Sequence, residues 1–172
     1  MILRQVENFF PRLDSLLPEI RKIKLYNQVD FNKLLQFNST FPGLRSKIIR
    51  DENLFFYELI NTLLFKHKLL EKGGYEINSF LHLKLKEDRE KEWVHKDPYN
   101  FACLIYLSET NLNSGTRLYD DNKKLINEIV SVKNRAILYS GNYYHVGYGH
   151  YGTNVQDGRL TINIFINDTK AG

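Results

Sequence analysis

The stretch Trp93-Val94-His95-Lys96-Asp97-Pro98-Tyr99-Asn100 holds an imidazole and a carboxylate two residues apart at the end of an extended run. Alternation along a strand turns such a pair to one side, so that both reach a single cation. A further histidine, His145, follows Tyr143-Tyr144. Two histidines and one carboxylate on one face of a metal leave the opposite coordination positions open to reagents. Gly158-Arg159-Leu160-Thr161 then opens an apolar run and sets a guanidinium and a hydroxyl on one strand face. An arginine among Leu160, Ile162, Ile164 and Phe165 is a costly buried charge without an anionic partner, which favours a ligand role. His-x-Asp alone arises often by chance, usually in an exposed turn. Its weight comes from its company: His145 ends another expected strand, Arg159 and Thr161 share a face, and Tyr106 alternates into the strand that follows.

Periodicity identifies the elements that must hold these residues. Leu13, Leu16, Leu17 and Ile20 recur at near-helical spacing and predict a short helix over 12–23, with Pro18 in its middle. Thr40-Phe41-Pro42-Gly43-Leu44-Arg45-Ser46 reads as a turn set by its Pro-Gly pair; the alternative faces Arg45 to the mouth of the site. The clearest helix is predicted over 52–71, with Asp51 as N-cap, an apolar stripe from Phe56 to Leu70, and Gly73-Gly74 as exit. His67, among lysines, reads as solvated, as does the mixed-sign run Lys86 to Glu92. From Tyr75 the period falls to two: Leu81, Leu83 and Leu85 share one face, Phe80 and His82 the other. Strands follow at 93–97, 100–108, 116–120, 127–132, 135–140, 143–149 and 159–166, with Asn113-Ser114-Gly115 among the turn signals between them. The expectation is one domain over 1–172, of α+β class and mainly β. Helical support over 8–72 carries a double-sheet jelly roll over 75–166.

With these residues in place the chain resembles the Fe(II)- and 2-oxoglutarate-dependent dioxygenases, in the prolyl-hydroxylase-like branch. That family's pattern is His-x-Asp, a distal His, then Arg or Lys with a hydroxyl residue two further on. Here it is carried by His95-Lys96-Asp97, His145 and Arg159-Leu160-Thr161. Cys103 to Ser108 with Ser114 to Tyr119, and Asn134 to His145, resemble the family's strand-then-glycine stretch and the strand leading to the distal ligand. Together with Phe41 to Ser46, the pattern is most similar to a small uncharacterised group of bacterial and phage 2-oxoglutarate oxygenases. The resemblance covers roughly residues 40–166 and implies a double-stranded β-helix barrel. It implies Fe(II) on His95, Asp97 and His145, with 2-oxoglutarate and O₂ at the open positions. Arg159 would pair with the distal carboxylate of 2-oxoglutarate, and Thr161 and Tyr106 would add hydroxyl donors. Asp97 favours hydroxylation, since halogenating members lack the carboxylate. His150 competes with His145 as distal ligand: it stands closer to Arg159, at a separation more usual in the family, whereas the run into His145 matches the lead-in strand better.

Composition narrows the setting. The net charge of +4 comes without a Lys/Arg block, which disfavours nucleic acid as partner. Cys103 is the only cysteine and sits among apolar neighbours; a disulfide framework is excluded and a reducing cytoplasm is the default. No stretch approaches the roughly 18 uninterrupted apolar residues of a membrane span. The start, Met1 to Glu7, lacks a signal peptide's apolar core. The substrate, small-molecule or peptidyl, is open. Tyr143, Tyr144, Tyr148 and Tyr151 line a substrate groove on one reading and are ordinary half-buried packing on the other. Trp93 is placed to stack on substrate or to cap the barrel mouth. Two rivals stand beside the oxygenase: a metal-free jelly-roll binding module, and a cupin-like metal enzyme that does not use 2-oxoglutarate. Arg159-Leu160-Thr161 discriminates against the second, which has no need of a carboxylate clamp.

Overall fold

A change of periodicity at Gly73-Gly74 separates the α-helices from most of the strands in this computed structural model, which describes residues 3–89 and 91–170. Met1, Ile2, Ala171, Gly172 and Glu90 of the charged run lie outside the described residues. The helices are α1 (Leu13–Ile20), α2 (Gln28–Leu35), α3 (Ile49–Glu52) and α4 (Leu54–Lys66). α1 ends at Ile20 instead of 23 and keeps Pro18 inside. α2 falls where no helix is read from the sequence; the Asn27 side chain caps it by accepting from the Asp30 N–H at 2.9 Å. The helix expected over 52–71 is two pieces. Asn53 is extended (φ −157°, ψ 94°) and accepts the Phe56 N–H at 3.0 Å, so it and not Asp51 is the cap. His67 is not solvated: it is half-buried at the end of α4, where Nε2 donates to the Phe9 carbonyl at 2.8 Å.

The strands are β1 (Leu3–Val6), β2 (Leu44–Arg45), β3 (Tyr75–Lys84), β4 (Phe101–Tyr106), β5 (Asn111–Tyr119), β6 (Leu125–Ser131), β7 (Ala136–Ser140), β8 (Tyr144–Tyr148) and β9 (Arg159–Asp168). They form a six-stranded sheet, β1-β7-β4-β9-β3-β2, and a three-stranded sheet, β6-β5-β8. Every neighbouring pair is antiparallel. Three expectations change. The strand over 93–97 reduces to one bridge, His95 against His145. Asn113-Ser114-Gly115 is no turn but part of β5, where the pairing with β6 jumps from Asn111–Ser131 to Gly115–Val130. A Cβ on Gly115 would overlap the Ile129 carbonyl oxygen, so the close approach requires glycine. The charged run does not lie wholly in water: Asp88 is buried, its carboxylate accepting the Leu85 N–H at 2.8 Å, and the Glu92 carboxylate is buried as well.

Alternation sorts the large sheet's two faces. Leu81, Leu83, Cys103, Ile105, Leu138, Leu160, Ile162 and Ile164 pack with Leu13, Leu17, Phe56, Ile60 and Leu64 of the helices in the main core. Burying each such side chain contributes about 1.5–3 kcal/mol, which fixes the register of β3 and β9. The opposite face carries Ala102, Leu104, Tyr106, Ile137 and Tyr139, which meet Leu118 and Ile129 of the small sheet. The same face also presents His82, Lys84, Arg159, Thr161 and Asn163, from directly paired positions on β3 and β9. The chain is thus mostly β, in antiparallel sheets, with its helices on one side. Among the described residues no helix is long and apolar enough to cross a membrane.

Candidate active site

His145 is the second residue of β8, and reciprocal backbone bonds tie it to His95: His95 N–H to the His145 carbonyl at 3.1 Å, His145 N–H to the His95 carbonyl at 2.8 Å. This bridge puts the two imidazoles 4.4 Å apart, centroid to centroid. Asp97 lies between them, Oδ1 at 3.8 Å from His95 Nε2 and Oδ2 at 3.2 Å from His145 Nε2. One ligand atom from each of the three residues lies within 4.8 Å of the other two. His95 Nδ1 faces the Trp93 carbonyl at 2.8 Å and His145 Nδ1 the Tyr143 carbonyl at 3.4 Å. Carbonyls only accept, so each ring proton is assigned to Nδ1 and each Nε2 lone pair is turned to the centre. Burial, then the neighbouring His145, lowers the pKa of His95. Burial would raise Asp97, but the His145 contact and the charges of His145, His95 and Arg45 outweigh it and hold Asp97 below its ordinary value. With each Nδ1 turned to its carbonyl, the two Nε2 atoms and the Asp97 carboxylate form a set that fits a divalent cation. Ligands bound cis at about 2.1 Å sit about 3 Å apart, close to the spacing here.

Arg159 opens β9 on the inward face, 2% exposed. Its Nη2 donates to the Gly115 carbonyl at 3.1 Å, its Nε is buried without a partner, and among the described residues no carboxylate is within ion-pair distance. Lys84 is its cross-strand neighbour. The Lys84 ammonium pairs with Glu92, whose other oxygen receives His150 Nε2. Burial pulls Lys84 down to about 8. Burial would raise Glu92, yet His150 and Lys84 together hold it well below the ordinary carboxylate value. Glu92 therefore neutralises Lys84, and Arg159 is the unmatched charge at this end. His150 belongs to this cluster, away from the bridge that joins His95 and His145.

Of the two candidate hydroxyls, Tyr106 lies beside Arg159, whose guanidinium carbon is 5.6 Å from the ring centre; its OH meets Thr116 Oγ1 at 2.7 Å. Thr161 is also buried, but its hydroxyl donates to Asn163 Oδ1 at 2.7 Å. Asn163 Nδ2 in turn donates to His82 Nδ1 at 3.2 Å, and His82 Nε2 to the Pro42 carbonyl at 2.7 Å. This chain ties β9 and β3 to the Phe41–Arg45 segment.

A cavity of about 430 Å³ between the sheets joins these groups: His95, Asp97, His145, Lys84, Glu92 and Arg159 line it, with Arg45, Tyr99 and Phe165. Tyr143, Tyr144, Tyr148 and Tyr151 do not line it; Tyr144 lies under Lys96 and Lys123, Tyr148 under Arg117. Trp93 lines it and tilts against the His95 ring at 5.5 Å. Lys84, Glu92 and Arg45 are site residues that periodicity does not single out. Lys84 is visible only through its register opposite Arg159, and Glu92 looks like any other charge in a polar run.

No protein-family description and no curated protein matches the chain. Solved structures do. A prolyl hydroxylase from Trichoplax adhaerens, in complex with a hypoxia-inducible-factor oxygen-degradation-domain peptide, superposes with a TM-score of 0.61 at 13% identity over 98% of this chain and 84% of its own. A 2OG-Fe(II) oxygenase family oxidoreductase from Burkholderia pseudomallei gives 0.63 at 13% identity over 96% and 84%. A prolyl-4-hydroxylase from Pseudomonas putida gives 0.57 at 14% identity over 96% and 92%. The chain shares its fold with these prolyl hydroxylases and this 2OG-Fe(II) oxygenase family protein.

Proposed function

We propose that the protein is a non-haem Fe(II)- and 2-oxoglutarate-dependent oxygenase, a hydroxylase whose two sheets form the superfamily's double-stranded β-helix. The observation that carries this reading is the closed set of three acceptors, His95 Nε2, Asp97 and His145 Nε2, in one cavity with a buried arginine that has no carboxylate partner among the described residues. The first suits a transition-metal cation held on one face. The second suits the distal carboxylate of a dicarboxylic cosubstrate, and it favours 2-oxoglutarate use over a cupin-like enzyme without it.

Bound Fe(II), 2-oxoglutarate and O₂ would supply the oxidation, with succinate and CO₂ released and one oxygen atom passed to the substrate. The chain's own part is positioning. His95 and His145, with Nδ1 facing main-chain carbonyls, would turn Nε2 toward the metal. Asp97 stays ionised and cancels half of the cation's charge. Arg159 offers Nε and its remaining N–H groups to a carboxylate, and its bond to Gly115 fixes the angle of the fork. Glu92 keeps Lys84 from competing for that carboxylate. Tyr139 lines the cavity, and Tyr106 packs beside Arg159.

The test is an anaerobic titration with Fe(II) and 2-oxoglutarate, read by the visible metal-to-ligand charge-transfer band. The band should form in the wild type, vanish in His145→Ala and persist in His150→Ala. In Arg159→Gln it should require roughly ten- to hundredfold more 2-oxoglutarate, the worth of one charge-assisted pair. A folded wild type without the band would overturn the reading.

A further inference from the structure

We propose that Arg45 is the anion site for the primary substrate, which is a small carboxylic acid: its carboxylate pairs with the guanidinium, and its apolar part lies against Phe41, Tyr99 and Phe165. The inference rests on the oxygenase reading for the charge count given below, but its geometry stands by itself.

The Arg45 backbone is held from both sides. It exchanges N–H to carbonyl bonds with Tyr26, both at 2.8 Å, and pairs with His82 across the β2–β3 ladder. The turn before it is pinned by the bond from His82 to the Pro42 carbonyl. Gly43 makes that turn with φ +77°, where a Cβ would overlap the Leu83 carbonyl oxygen. The side chain that leaves this frame is enclosed by aromatic rings. Its guanidinium carbon is 4.2 Å from the Phe41 ring centre, 5.6 Å from Phe80, and 5.9 Å from both Phe31 and Phe165. Such faces stabilise a cation but accept none of its directed hydrogen bonds. Among the described residues the Arg45 side chain has no hydrogen bond and no ion pair, and its Nε is buried and unpartnered. Burial lowers it to about 10, so it remains charged at neutral pH.

The carboxylate whose field reaches Arg45 is Asp97. On the oxygenase reading that carboxylate is committed to the metal. Charges along the cavity then balance except at one point. A divalent cation with Asp97 leaves one positive charge, Lys84 with Glu92 and Lys96 with Asp121 leave none, and Arg159 adds one. A doubly charged cosubstrate cancels these two, and Arg45 is left over as a partly desolvated cation on the same cavity wall. One further anion completes the site. The cavity of about 430 Å³ is near the small end of ligand sites, and with a cosubstrate inside it the remaining space suits a small molecule. Stacked Tyr99 and Phe165, 4.8 Å between centroids, offer that molecule an apolar wall.

The test uses matched pairs added to the anaerobic Fe(II)–2-oxoglutarate protein: hexanoate and hexanamide, phenylacetate and phenylacetamide, N-acetyl-L-leucine and its amide. Binding is followed by saturation-transfer NMR, and the charge-transfer band is recorded in parallel. At least one acid should bind tenfold or more tightly than its amide. Arg45→Gln should weaken that acid roughly ten- to hundredfold while the band, and with it the cosubstrate site, persists. Arg45→Lys should recover part of the acid binding, which a merely structural arginine would not predict. Acids that fail to bind, amides that bind equally well, or unchanged acid binding in Arg45→Gln would each overturn the proposal. Loss of the band in the wild type strikes the oxygenase reading instead, because acid binding is scored without it.

Discussion

Glu92 takes two hydrogen-bonding partners, Lys84 and His150, at a depth where neither charge reaches water. Desolvation makes each of these groups costly alone and tolerable only as a set. Removing the carboxylate strands Lys84, so Glu92→Gln should cost about 3 kcal/mol at neutral pH, measured by urea unfolding. The pH dependence has a definite sign. Glu92 is held below its ordinary value of 4.5, so on acidification the unfolded chain takes up this proton first. Its contribution is complete above 4.5 and fades as pH falls toward the folded value. The gap between wild type and Glu92→Gln should therefore narrow in acid; a gap that widens would refute the assignment. In the sequence Glu92 is one charge in a run of mixed sign, and nothing in residue type separates it from Glu87, which is exposed. His95, Asp97, His145 and Arg159 stand out in the sequence by type and spacing, and the fold brings all four to one cavity.

The elements were legible where one period dominates. β3 and β9 alternate cleanly, since one face must be apolar for the main core. Helix boundaries were less so, because caps depend on a competition between neighbouring polar residues. Asp51 and Asn53 are both good N-caps by type, and it is Asn53 whose side chain reaches the Phe56 N–H. Asn53→Ala should cost about 1 kcal/mol in denaturant unfolding, whereas Asp51→Ala at its exposed position should stay within about 0.5 kcal/mol. Two elements depend on partners far away in sequence. The 93–97 segment touches β8 through a single bridge, yet that bridge sets His95 against His145. The Asn113-Ser114-Gly115 signal is a bulge because β6 runs beside it, and a turn and a bulge ask for the same residues.

At the scale of the molecule, the helices cover one face of the large sheet and leave the other to enclose the cavity with the small sheet. A cation that binds only the folded form must then stabilise the whole. At a free concentration about 100 times Kd the gain is about 2.7 kcal/mol. Anaerobic Fe(II), or Mn(II) as a redox-silent substitute, should raise the melting temperature of the wild type, and His95→Ala should abolish the rise; an equal rise in both would place the metal elsewhere. The mainly β class, the helical support, the two faces of β3 and β9 and the residue types to which the proposed metal and carboxylate roles are given are read from the sequence alone, because each follows from local period or from residue chemistry. Tertiary structure decided the rest: that His145 and not His150 faces His95, that Lys84 lies beside Arg159 with Glu92 upon it, and that Arg45, in the cavity wall, is unpaired among the described residues. These are matters of strand register and desolvation, and both are set by segments that meet only after the chain has folded.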